Sequence, residues 1–282
     1  MIKLLPLPKN IFFIVVLFAL IYSTNAAAQG NLLIIPRRVV FEDSKRTQEL
    51  NLANIGKDTA RYVISVVQYR MKEDGNFEVI TKPDSGQFFA DKNFRFFPRS
   101  VVLAPNEAQV VKVQLINTNQ LVPGEYRSHL YFRAVPNESP LGEKDTLKKP
   151  SSITIKLVAV FGIAIPVIIR NGVSTTVTNL SDVALKIGEG NVPLLTMKIN
   201  RAGNMSVYGD IKINYISPKG VITQVGIVNG LSVYTPNTTR KFQMNLESKP
   251  NINYHTGKLQ IIYAAQADAK PAKFAESELL LN

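Results

Sequence analysis

Ile153-Thr154-Ile155-Lys156-Leu157-Val158-Ala159-Val160-Phe161-Gly162-Ile163-Ala164-Ile165 is the stretch on which the reading of the fold turns. Every odd position is apolar, whereas the even ones mix Thr154, Lys156 and Gly162 with Val158, Val160 and Ala164. That is the period of a β-strand with one face fully committed to an apolar environment. At ~3.3 Å per residue the run is about 43 Å long, well beyond a usual strand of about six residues. One sandwich does not easily cover all of it. The C-terminal half, through Phe161, Ile163 and Ile165, reads as ordinary core. Ile153, Ile155 and Leu157 follow a polar segment, Asn137 to Pro150, which holds Pro140, Gly142 and Pro150 and reads as a mobile surface loop. The start of the strand is therefore expected at a sheet edge, where alternating Ile and Leu are an aggregation hazard unless a partner covers them. The corresponding function is β-augmentation, in which an incoming strand pairs with the main chain and takes the alternate side chains into its pockets.

Outward from this strand the pattern is all-β. Short runs rich in Val, Ile, Thr and Tyr recur between turn signals at Leu32 to Ile35, Val39 to Phe41, Thr47 to Ala53, Arg61 to Arg70, Phe77 to Thr81, Ala108 to Leu115 and Glu125 to Val135. Asn171-Gly172 is a natural break. Beyond it strands restart at Leu194 to Asn200, Val207 to Ile216, Val221 to Val228, Arg240 to Leu246, Lys258 to Ala265 and Phe274 to Leu281. Many short strands with polar turns and no sustained helical period indicate β-sandwiches, and the length fits two domains of ordinary size. At the N-terminus Lys3 and Lys9 precede an apolar run from Ile11 to Tyr22 and then Ala26-Ala27-Ala28. The run is too short for a bilayer core that needs about 20 residues, so it reads as a secretory signal peptide. The organisation is thus a signal peptide at 1–28, an N-terminal domain at 29–170 and a C-terminal domain at 171–282.

The formal charge of +12 falls to +10 without Lys3 and Lys9. A basic surface favours acidic partners, but Lys and Arg are scattered singly, which argues against nucleic acid and for acidic polypeptides or chain-terminal carboxylates. There is no cysteine, so neither disulfides nor an acylated N-terminal anchor are available, and burial alone must hold each domain. Catalysis has little to work with. His129 and His255 are the only histidines, without metal-ligand spacing, and His129 falls within a predicted strand where packing is its expected role. Glu42-Asp43 and Glu73-Asp74 are adjacent carboxylates in turns, and there is no Gly-x-Ser-x-Gly elbow or phosphate loop. No catalytic residue, metal, cofactor or small-molecule substrate is expected.

Several segments together resemble periplasmic pilus-assembly chaperones of the chaperone/usher (PapD-like) family. They are Arg37-Arg38-Val39-Val40-Phe41, Phe96-Phe97-Pro98 with Leu103-Ala104-Pro105, Gly124-Glu125-Tyr126-Arg127-Ser128-His129-Leu130-Tyr131-Phe132-Arg133, and Gly162-Ile163-Ala164-Ile165-Pro166-Val167. They occur in the family's order over roughly 30 to 170, and the last two are more similar to its archaic branch; residues 173 to 282 match only in size and β character. The resemblance implies two immunoglobulin-like domains in a boomerang arrangement. It implies that the strand ending the first domain, with Ile153, Ile155 and Leu157 as donor residues, completes a pilin or fimbrial subunit lacking its last strand. It further implies a periplasmic location, transfer to an outer-membrane usher, and self-capping as a homodimer when no subunit is bound. Arg38 matches the cleft arginine that holds the subunit's carboxylate, for which a bidentate guanidinium is suited; the plain alternative is a solvated strand arginine. The second cleft cation departs from the family, because Pro166 stands where a lysine is expected. Lys156, further up the strand, is the substitute, against simple edge protection by a charge. Arg170 resembles the linker arginine that bonds acids of both domains. Arg127 stands where the first domain's acid is expected, with Glu125 two residues earlier, which argues against the family's ion network here. The rival reading is an exported immunoglobulin-like adhesin or structural module that donates no strand. The Ala26-Ala27-Ala28 site predicts that N-terminal sequencing of the exported product finds a start near Gln29; an intact Met1 overturns it.

Overall fold

The computed structural model describes residues 32–42, 45–136, 160–188, 190, 192–267 and 269–281. The donor positions Ile153, Ile155 and Leu157, Lys156, and the segment 1–28 lie outside the described residues. Within them the chain is all-β.

The first sandwich is built from β1 (Leu32–Ile35), β2 (Val39–Phe41), β3 (Thr47–Asn54), β4 (Ala60–Val67), the short hairpin β5 (Tyr69–Met71) and β6 (Phe77–Val79), β7 (Phe94–Phe97), β8 (Ser100–Leu103), β9 (Ala108–Leu115), β10 (Gly124–Val135) and β11 (Gly162–Asn171). One sheet runs β1-β3-β9-β7 and the other β2-β11-β10-β4-β8. This is the immunoglobulin-like arrangement, in which the first, second, fifth and fourth strands face the third, sixth and seventh. Alternation makes the core: Leu50, Leu52, Val111 and Val113 from one sheet meet Leu130, Phe132, Ile165 and Val167 from the other, all buried. Near the start of β10 the Tyr126 hydroxyl accepts the Val122 N–H at 3.0 Å, the tyrosine corner of such folds.

The second sandwich comprises β12 (Val177–Ile187), β13 (Pro193–Ala202), β14 (Val207–Ile216), β15 (Ile222–Val233), β16 (Thr239–Asn245), β17 (Lys258–Ala264) and β18 (Lys273–Leu280). Its sheets run β12-β13-β16 and β15-β14-β17-β18. β13 shows the cause most clearly, with Leu195, Met197 and Ile199 turned inward and Thr196, Lys198 and Asn200 between them. Gly172, at φ 78°, makes the turn between the sandwiches where a side chain would be strained.

β11 carries the functional question. It pairs antiparallel with β10 from Gly162 to Asn171, but β2 lies against its other side, parallel, only from Val167 to Ile169. Among the described residues no strand pairs with that side before Val167. Ala134 N–H donates to the Phe161 carbonyl at 3.0 Å. By the alternation of antiparallel ladders, Phe161, Ile163 and Ile165 therefore turn their peptide groups to β10, and Gly162 and Ala164 turn theirs to the open side. Pro166 offers only its carbonyl there. On the odd face Ile165 is 3% exposed, but Ile163 is 37% and Phe161 68% exposed. This corrects the expectation of core burial for Phe161 and Ile163: the apolar face continues past the point where the facing sheet covers it. A Cβ at Gly162 would run into the Tyr131 ring, which would have to turn aside.

The edge of the core predicts a sharp contrast along one face. Ile165→Ala is expected to cost ~2 to 5 kcal/mol and Phe161→Ala within ~0.5 kcal/mol in denaturant unfolding; equal losses would show that Phe161 belongs to the core.

Candidate functional site: a basic, aromatic cleft at the end of an open strand edge

Arg37 and Arg38 directly precede β2, and the parallel register of Val39 with Val167 brings Arg38 beside Pro166. The chain is bent at Pro36 and Arg37 rather than extended, so the two arginines do not alternate faces. Both line a cavity of about 410 Å³ together with Ala164 and Pro166 of β11, His129 of β10, Tyr69 and Phe77 of the β5–β6 hairpin, and Tyr208, Gly230, Ser232 and Tyr234 of the second sandwich. The Arg38 guanidinium lies 3.7 Å above the centre of the Tyr208 ring, a cation–π contact that fixes it across the cleft. Its Nε is buried with no hydrogen-bond partner, and no carboxylate among the described residues pairs with it. A buried donor without an acceptor is costly, so an acceptor brought to this Nε would be favourable.

The cleft is held by a polar network. Glu125 has no solvent access, and its Oε2 accepts from Arg170 Nε at 3.3 Å and from the Ser206 backbone N–H at 3.0 Å, while Oε1 accepts from the Ser206 hydroxyl. Arg170 also pairs with Glu42 at 2.5 Å and donates to the Ser206 carbonyl at 3.0 Å. Arg127, equally buried, donates to the Thr235 carbonyl at 3.0 Å and stacks 4.2 Å from the Tyr234 ring centre. Burial pushes its guanidinium downward from the usual arginine range, and Glu125 opposes this. The network that the sequence argued against is therefore built, with a different division of labour. Both acids belong to the first sandwich, and Ser206 stands on the second where the resemblance implied another acid. Because Arg127 occupies the expected acidic position, Glu125 reaches around it to the same junction. The hairpin adds Asn237 Nδ2 to the Met71 carbonyl at 2.7 Å and Lys241 N–H to the Glu73 carbonyl at 2.6 Å, above a small apolar cluster of Met71, Ile168 and Tyr234. Glu42 and Glu73, each half of an adjacent carboxylate pair in the sequence, form solvent-exposed ion pairs with Arg170 and Lys241.

Of the sequence-predicted site residues, Arg38 and Arg170 flank the cleft, whereas Lys156 lies outside the described residues. Arg37 is the second cation that the described residues place at the cavity. Only its adjacency to Arg38 signalled it, and strand alternation would have sent it to the opposite face. The aromatic walls left no sequence signal, since they come from four separate strands and turns.

No family model matches the chain, and no curated protein does. Among solved structures, the class 5 fimbriae chaperone CfaA is similar at 13% identity and a TM-score of 0.43, over 89% of this chain and 99% of that one. The Pseudomonas aeruginosa CupB2 chaperone is similar at 14% and 0.41, over 89% and 100%. The Acinetobacter baumannii CsuC–CsuE complex, a chaperone with a tip adhesion subunit from archaic chaperone-usher Csu pili, is similar at 13% and 0.44, over 87% and 98%. Likenesses of this size carry no weight for this chain, whose fold and site stand on the geometry above.

His129 packs edge-on to Tyr69 at 4.9 Å between ring centres. Burial, and then the charge of Arg127, push its imidazole down to about 3. The fold accepts only the neutral ring, so its contribution to stability is complete above the unfolded value of 6.5 and is lost as pH falls toward about 3. The loss is on the order of 2 kcal/mol by pH 5. Unfolding followed between pH 7 and pH 5 should therefore show a flatter dependence in His129→Gln than in the parent; identical slopes would remove His129 as the source.

Proposed function

We propose that this chain is an exported chaperone for pilin-like subunits, dividing into two domains near residues 170–171, and that it binds rather than transforms its partner. The observation that carries the reading is the course of β11. Its open edge, with the outward peptide groups of Gly162 and Ala164 and the exposed Phe161 and Ile163, leads into the cavity where the buried Nε of Arg38 has no acceptor among the described residues. A strand laid on this edge with its C-terminal carboxylate at Arg38 must run toward Pro166, hence parallel to β11. Pro166 has no N–H to offer the carboxylate, and the guanidinium supplies the donor that the edge lacks.

The odd face then acts on the partner. Ile153, Ile155 and Leu157 continue the face of Phe161 and Ile163 by strict alternation, so an extended backbone presents all of them to one side. A β-sandwich subunit missing a strand exposes an apolar groove of matching character, and filling it keeps the subunit soluble. A periplasmic site of action agrees with the export signal expected at residues 1–28. Usher delivery and self-capping as a homodimer belong to the same proposal. An adhesin that donates no strand would have no use for an open apolar edge that leads to an orphan arginine.

Co-expression with a pilin subunit tests the reading. Arg38→Ala should leave the melting temperature unchanged and weaken capture about ten- to a hundredfold, the worth of a charged hydrogen bond of ~1.5 to 3 kcal/mol. Ile155→Ala with Leu157→Ala should do the same, whereas core residues would cost ~2 to 5 kcal/mol each without any subunit present. Undiminished recovery of the subunit with both variants would sink the proposal.

A further inference from the structure

The cavity under Arg38 is larger than a carboxylate needs. Its lining includes the rings of Tyr69, Phe77, Tyr208 and Tyr234 together with Pro166 and Ala164. Phe77 stands on a three-residue strand, is 48% exposed and lines the cavity, so part of its ring is open to a ligand there. Its ring is already set in a partial cage, 6.0 Å from Tyr69 and 6.1 Å from Tyr234 at inclined angles. These are separations at which aromatic rings attract one another, and the cavity of about 410 Å³ lies beside them. The walls are also rigid: Tyr69 packs on the buried His129, Tyr234 lies under Arg127, and Tyr208 lies under Arg38 itself. His129 adds a second orphan, because its Nδ1 is buried and has no hydrogen-bond partner among the described residues.

We infer that this cavity is a side-chain pocket selecting an aromatic C-terminal residue on the bound subunit: the guanidinium of Arg38 takes the carboxylate and the cage takes the ring of the same residue. The inference rests on the carboxylate-anchor reading above and adds a specificity to it. A carboxylate and a side chain leave one Cα in different directions, which matches a cation at the rim and an apolar space beyond it. An alanine there would leave the cage unfilled and forfeit the ring contacts. An aromatic residue is favoured over a flexible aliphatic one because it fills space at low entropic cost and meets ring edges already in place.

Titration of the mature protein with N-acetylphenylalanine, N-acetylalanine and N-acetylphenylalanine amide, followed by heteronuclear NMR, separates the two readings. The phenylalanine acid should bind at least ~10-fold more tightly than the alanine acid, as expected for burial of a ring, and the amide ~10-fold more weakly than the acid. Equal binding of the two acids, with the amide still weak, overturns the pocket and leaves the carboxylate anchor standing. Equal binding of phenylalanine acid and amide, with alanine weak, keeps the pocket and overturns the anchor. Binding by none of the three overturns the pocket. Ala164→Trp fills the cavity from an exposed position, so with an unchanged melting temperature it should abolish the preference for phenylalanine; a preserved preference would place the ring elsewhere.

Discussion

Glu125 is the group that the geometry of the cleft cannot do without. A carboxylate with no access to water needs every lone pair occupied, and the donors that satisfy it come from three places: the backbone and hydroxyl of Ser206, and the guanidinium of Arg170. Each donor is itself tied to something else, Ser206 Oγ accepting the Thr235 N–H and Arg170 pairing with Glu42. Buried ion pairs contribute little net stability against a well-packed apolar substitute. What this one contributes is an orientation. With the hairpin contacts to Asn237 and Lys241, it sets β14 and the end of β15 at a fixed distance from β2 and β11, which is why Tyr208 can lie under Arg38.

The strand β11 divides its work by parity. Odd residues turn side chains to the core of the first sandwich and then, beyond Ile165, out of it. Even residues line the cleft with Ala164 and Pro166 and reach the cluster between the sandwiches with Ile168. The same alternation assigns the peptide groups, those of the odd residues to β10 and those of the even residues to the open side. Core, cleft and edge are therefore three readings of a single backbone geometry, and a shift of the β10–β11 register by one residue would exchange all of them.

Much of this architecture was legible in the sequence wherever one face of a strand is buried. β1, β2, β13 and β14 stand where the apolar alternation put them, and the break at Asn171-Gly172 falls at the end of β11. β12 was missed because it lies at a sheet edge, with a bulge between Ser181 and Ala184 and no fully buried residue, so its alternation is faint. β7 and β8 are four residues each, too short for a period to show. In the cleft, Arg38 and Arg170 stood out in the sequence, and the structure places Arg38 in the cavity lining and Arg170 on Glu125. The cage around them did not stand out, because Tyr69, Phe77, Tyr208 and Tyr234 meet only through the packing of two sandwiches. Glu125 was seen but misjudged: the expectation compared positions along the strand, whereas the side chain reaches across to a serine that carries no charge to betray its role.

The shortness of β2 has its own consequence. It begins at Val39, beside Val167, and runs in the direction that a partner strand ending at Arg38 must also take. Partner and β2 would then be two lengths of one interrupted strand, with a carboxylate and a guanidinium at the break. Such a junction works as the zero mark of a ruler. Side chains of the partner are counted from its own last residue, and because successive residues face opposite sides, one added residue would turn inward every group that should face out. The cleft would in this way read where a chain ends, and only then what it is made of.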